Sequence, residues 1–144
     1  MLGMTVEEVF SEKCRFAIVM RKGHEPSGTM FYTSKEDSLQ LGTIKHESGY
    51  IEPAHVHKKR KKIIEDVVES LYIEYGKVAV DFFQKGRMFS SITLNPGDTI
   101  LLIEGAHRIR VIESFKGVKV KQGPYMSIEE DKEFIEIKNE NSSF

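Results

Sequence analysis

The chain has one cysteine, no excess of charge of either sign and no long apolar run. Each absence excludes something. Cys14 has no partner for an internal disulfide, which fits a reducing compartment. With nothing nearby to lower its pKa, it reads as a small buried apolar residue rather than a nucleophile. Twenty-one basic against twenty-two acidic residues leave a formal charge of −1, so no global field favours nucleic acid or an acidic membrane. No stretch approaches the roughly 20 apolar residues that span a bilayer. The start, Met1-Leu2-Gly3-Met4-Thr5-Val6-Glu7-Glu8, lacks a basic region followed by an apolar one, so no secretory signal is expected. With no internal repeat and no linker, 144 residues at 40% hydrophobic content predict one soluble cytoplasmic domain over 1–144.

What is present is strand signal. Phe16-Ala17-Ile18-Val19-Met20, Met30 to Thr33 and Leu39 to Ile44 are short apolar or alternating runs bounded by Gly, Ser or Asp. Glu69 to Tyr75, Lys77 to Phe83, Ser90 to Leu94, Thr99 to Ile103, His107 to Ile112 and Val118 to Gln122 continue the pattern. Gly76 stands between two of them as a tight turn or kink would. Gln84-Lys85-Gly86-Arg87 and Asn95-Pro96-Gly97-Asp98 read as turns. Many short strands predict an all-β sandwich or barrel. Helix is expected only over Val6 to Phe10, capped by Thr5, and after Ser127. Phe134 to Ile137 alternates like a strand, and the polar tail Asn139 to Phe144 reads as frayed.

The chemistry-bearing residues are His55-Val56-His57, Glu69 and His107. Two histidines at i and i+2 of an extended segment share a face. Glu69 has the phase of Leu71 and Ile73, His107 that of Ile109 and Val111, and Gln122 that of Val118 and Val120, with Lys119 and Lys121 pointing away. A lone carboxylate on an apolar face is costly unless paired or bound to a cation. His55, His57, Glu69 and His107 are therefore the expected ligands of one divalent transition metal, Fe, Mn, Ni, Cu or Zn. The run Lys58-Lys59-Arg60-Lys61-Lys62 is followed at once by Glu65, Asp66 and Glu69 and has no interleaved aromatics, so it reads as a solvated loop. Beside His57, it could hold an anionic substrate at a pocket mouth.

Gly49, His55, His57, Glu69 and Gly76 resemble the first cupin motif, and Gly97-Asp98 through Gly105 and His107 resemble the second. The resemblance covers about residues 39 to 125 and implies a cupin-type double-stranded β-helix, a jelly-roll barrel, with a short N-terminal extension and a polar tail. Three departures stand out. Eleven residues separate His57 from Glu69, which leaves Glu65 and Asp66 as rival carboxylates; Ile103 stands where proline is common; and one residue, not two, separates Gly105 from His107. Val-Lys-Gln-Gly-Pro-Tyr, Val120 to Tyr125, is similar to the ending of small cupins associated with bacterial surface-polysaccharide genes. The resemblance implies a metal-dependent enzyme on a small polar metabolite such as a carbohydrate, with Gln122 and Tyr125 in the substrate pocket and Tyr125 as a catalytic candidate. It also admits a metal-independent sugar-nucleotide isomerase or epimerase, with His107 or His57 as base and Tyr125 or Tyr72 as partner, and a non-catalytic ligand-binding or sensing cupin. A homodimer formed through sheet edges is expected, with a small-molecule ligand and neither nucleic acid nor membrane as partner.

Overall fold

A computed structural model describes residues 5–138 and divides them between two compact units, one formed by residues up to His24 and from Val67 onward, the other by Glu25–Asp66. The first four residues and the tail expected to fray, Asn139 to Phe144, lie outside the described residues. The described residues are all-β apart from one helical turn. The strands are β1 (Val6–Ser11), β2 (Cys14–Met20), β3 (Gly28–Phe31), β4 (Gly42–Lys45), β5 (Glu69–Gln84), β6 (Arg87–Leu94), β7 (Thr99–Leu102) and β8 (Ala106–Lys121), followed by α1 (Ile128–Asp131). The small unit holds the antiparallel β3–β4 pair. From β4 to β5 the chain has no helix or strand.

The large unit is one curled antiparallel sheet, a half-barrel. β1 pairs with β2, β2 with β7, and β7 with the first part of β5. β6 takes up the same edge of β5 further along, and β8 runs beside β5 for nearly its whole length. One face of the sheet carries the core: Val9, Phe16, Val19, Leu71, Ile73, Val78, Val80, Phe82, Leu94, Ile100 and Leu102. Phe16 meets Phe82 edge-on, with ring centroids 6.2 Å apart, a favoured aromatic geometry.

Several sequence expectations change here. The two runs either side of Gly76 are one sixteen-residue strand, and so are His107 to Ile112 and Val118 to Gln122, the latter ending at Lys121. Of its two expected readings, turn or kink, Gly76 is the kink. Its φ of 84° suits glycine, and the β5–β8 register shifts around it, so a bulge absorbs the kink. Val6 to Phe10 is strand, not helix. Paired with β2, it satisfies the backbone of a buried neighbour, and Thr5 bonds His24 Nδ1 at 2.9 Å instead of capping a helix. Leu39 to Leu41 and Tyr32-Thr33 fall outside β3 and β4, and Ile103 lies beyond β7. Phe134 to Ile137 alternates without a strand to pair with among the described residues. Ser127 caps α1 as expected, its hydroxyl accepting from Glu130 N at 3.2 Å.

Candidate functional site

Strand pairing explains how two distant residues meet. Glu69 opens β5 and pairs with Lys121, while His107 lies across from Phe82, thirteen residues further along β5. In a straight ribbon that separation would be about 40 Å. In the protein, His107 Nε2 lies 3.3 Å from Glu69 Oε1. The ribbon bends back on itself at the bulge beside Gly76, and β7, paired with the start of β5, delivers the chain to His107 within five residues of Leu102. Both side chains have the core-facing phase that their apolar neighbours predict.

Glu69 is 8% exposed. A hydrogen bond from His107 holds its carboxyl down at about 2, against the opposing effect of burial and with further help from the nearby charges of Lys119, His107 and Lys121. Lys119 Nζ lies 3.5 Å from Glu69 Oε2. Lys121 pairs with Asp131 on α1, and its ammonium sits 5.8 Å from the centre of the Tyr125 ring. An ionised Glu69 accepts from Nε2–H, which leaves Nδ1 as the lone-pair nitrogen of neutral His107.

This group lines an open cleft of about 560 Å³. One part of its wall is polar and charged: Glu69, His107, Arg108, Lys119, Lys121, Asp131, Lys132 and Glu133. The rest is largely apolar, with Phe83, Ile109, Phe134, Ile135 and Ile137. Three acids, three lysines, an arginine and a histidine, several of them joined in pairs, present hydrogen-bonding groups with little net charge. Such a cleft suits a polar molecule that also has an apolar face.

The expected inward phase of Val118, Val120 and Gln122 is reversed. Lys119 and Lys121 pair with Leu71 and Glu69 and share their face, while Val118 and Val120 are exposed. Two carboxylates, Glu69 and Asp131, receive the lysine ammoniums there, so an inward lysine is the satisfied arrangement. Gln122 follows the strand. Its amide donates to Val68 O at 2.8 Å, and its side-chain Oε1 is buried without a hydrogen-bond partner among the described residues. Neither Gln122 nor Tyr125 lines the cleft; the lysine before Gln122 does.

His55 and His57 belong to the small unit, where both are exposed. Their rings lie 5.2 Å apart, edge to face, and His55 Nδ1 bonds Pro53 O at 2.9 Å. The expected metal ligands thus divide into two pairs, one in each unit. Within neither unit do three or more His, Cys, Asp or Glu side chains gather, among the described residues. In the large unit a cation on Glu69 would share that carboxylate with the Lys119 ammonium, and the donor set by itself does not fit a divalent metal well. The rivals Glu65 and Asp66 are exposed in the small unit, where Asp66 accepts from Ser38 Oγ at 3.0 Å. Tyr72 is exposed on the face opposite Glu69.

A second charged cluster was not legible as one. Asp81 is 0% exposed on the non-core face of β5. Arg108 reaches its Oδ2 from Nε and Nη2 at 3.0 and 2.8 Å; Arg110 reaches Oδ2 and Oδ1 at 2.6 and 2.9 Å; Ser91 donates at 2.7 Å. The Arg110 guanidinium, against the effect of burial and with Ser91 and Arg108, holds the Asp81 carboxyl well below its usual range. The cluster ties β5, β6 and β8 together. An acid alternating with core residues, facing arginines at i and i+2 of another strand, was the available signal. The Cys14 thiol, packed at the core margin, is pushed up by burial and by Glu104, which suits a packing residue. No helix among the described residues is long and apolar enough to cross a membrane. Comparison with protein-family models, with curated proteins and with solved structures finds no match to this chain.

Proposed function

We propose that the large-unit cleft is the active site of a small-molecule enzyme that moves a proton on a sugar-like substrate, with His107 as acid–base and Glu69 as its orienting carboxylate. The observation that carries this reading is the 3.3 Å Glu69–His107 contact inside the cleft. A carboxylate held ionised fixes the imidazole tautomer and favours the imidazolium formed when Nδ1 takes a proton. In an isomerisation, His107 takes that proton from a hydroxyl-bearing carbon beside a carbonyl and returns it to the former carbonyl carbon, while the hydroxyl proton passes to the former carbonyl oxygen through the enediol. Lys119 would steady the charge developing on the carbonyl oxygen. Paired charges suit hydroxyl groups, and Phe83 with Ile109 suits the apolar face of a sugar ring. The wider cupin reading, a double-stranded β-helix, goes with this function; the curled antiparallel sheet and the bend at Gly76, with six residues between it and Glu69, support it.

A divalent metal is the second reading, favoured by the adjacency of two of the expected donors, Glu69 and His107. One experiment separates the two. The full chain is incubated in deuterated water with a panel of keto-sugar nucleotides, before and after treatment with a chelator. Acid–base catalysis predicts deuterium uptake that survives chelation and falls by roughly 10²–10⁴-fold in His107→Gln. Unchanged uptake in His107→Gln would overturn the reading. Loss on chelation, restored by one metal per chain, would replace it with the metal-dependent one.

A further inference from the structure

The run Lys58-Lys59-Arg60-Lys61-Lys62 has no part in the cleft just described. It lies in the stretch from β4 to β5, where residues 46–67 are all exposed and form neither helix nor strand. No ion pair joins any of the five to an acid among the described residues, whereas Lys45 and His55 in the same unit have acidic neighbours in Glu25 and Glu52. Glu65 and Asp66 follow the run, but Asp66 is engaged with Ser38. Even at full extension five residues span only about 16 Å, so the five positive charges fall within about two Debye lengths at physiological salt. A polyanion would therefore meet them together. The balanced charge of the whole chain hides this local separation.

Apolar side chains flank the charges. Val56 is 89% exposed and Ile63 82% exposed, with Ile64 next to it. Basic groups bordered by exposed aliphatic ones fit a surface that is anionic outside and apolar just beneath. A nucleic acid would reward stacking aromatics instead. The one aromatic ring of Phe, Tyr or Trp type between residues 46 and 66 is Tyr50, and it stacks on His46 with ring centroids 3.7 Å apart.

We infer that Lys58 to Lys62, with Val56 and Ile63, form a docking surface for an anionic lipid bilayer, which brings the protein reversibly to a membrane. This departs from the expectation of no membrane partner, which rested on the balanced net charge and the lack of a long apolar run. Each basic side chain near an anionic leaflet contributes modestly, and the sum is sensitive to salt. Aliphatic side chains add a smaller, salt-insensitive share.

Co-sedimentation of the full chain with vesicles of phosphatidylcholine alone, or mixed with phosphatidylglycerol, tests this. Binding is expected only to the mixed vesicles and is expected to be released by high salt. Replacing all five basic residues with Gln should weaken it at least tenfold, while Lys→Arg at 58, 59, 61 and 62 should preserve it. Ile63→Ser should weaken binding without changing its dependence on salt. Circular dichroism of each variant checks that the sheet is intact, as expected for substitutions in an exposed stretch. Equal binding to neutral vesicles, or an unaffected five-Gln variant, would overturn the inference. So would tighter binding to a single-stranded DNA oligonucleotide than to the mixed vesicles, which would assign the run to nucleic acid.

Discussion

Glu69 shows how one residue joins stability to chemistry. Its carboxyl titrates at about 2 in the folded protein, against about 4.3 for a free glutamate. The folded value is depressed, so the stabilisation is fully present above the unfolded pKa and disappears as pH falls through about 2. Allowing for partial exposure of its partners, the contribution at neutral pH is on the order of 2 kcal/mol. Glu69→Gln should therefore lower stability to urea at pH 7, and the difference from the native chain should shrink steadily below about pH 4.5. A deficit that stayed constant down to pH 2.5 (a value chosen near the folded pKa) would show that Glu69 contributes packing rather than charge. His107→Gln removes the largest source of that stabilisation, so it is expected to share part of the deficit at pH 7 as well as to lose proton transfer.

The decisive element is the β5–β8 ribbon. A straight ribbon would hold Glu69 and His107 far apart; the bend at Gly76 brings them together. A Cβ at position 76 would collide with the Ser114 carbonyl and the Phe115 backbone, and the positive φ disfavours any other residue. Gly76→Val should cost several kcal/mol, about 3 or more, because strain and collision add. If the variant folds, the altered bend should separate the pair. Nuclear magnetic resonance of His107 would then show ring signals that no longer respond to Glu69→Gln. A variant of native stability would mean that the bend does not depend on this glycine. The Lys85-Gly86 turn between β5 and β6 also has positive φ at both residues, 52° and 77°, which matches a two-residue hairpin loop and keeps β6 in register.

At the scale of the molecule, the large unit is discontinuous in sequence. β1 and β2 come before the small unit, yet β2 pairs with β7 from Ala17–Leu102 to Met20–Thr99. The basic run lies in an exposed irregular stretch between those two parts. Brief trypsin treatment should cut first at Lys58 to Lys62, where the chain is exposed and lacks regular hydrogen bonding. The two fragments should then stay together through gel filtration, because β2 is held in the sheet and Phe16, Ala17 and Val19 lie in the core. They should separate only in denaturant. Digestion that yields no two-fragment intermediate, or fragments that part under native conditions, would contradict this account.

Local pattern determined much of this protein. Alternating apolar residues marked the strands, turn residues marked β5–β6 and β6–β7, and the phase of Glu69 with Leu71 and Ile73 identified a carboxylate on a core face. Those features depend on neighbours within a few residues, so they are legible in order along the chain. Partners across strands are not. The inward Lys119 and Lys121 could not be read from β8 alone, because a bulged register and the carboxylates of Glu69 and Asp131 decide which face is satisfied. Asp81 among core residues and Arg108 with Arg110 at i and i+2 are each visible in order along the chain, but only the pairing of β5 with β8 brings them together. The same limit applies to the residues expected to bind a metal: the i, i+2 pattern put His55 beside His57, but only the bend of β5 against β8 put Glu69 beside His107. Sequence fixes which groups are available, and long-range pairing decides which of them meet.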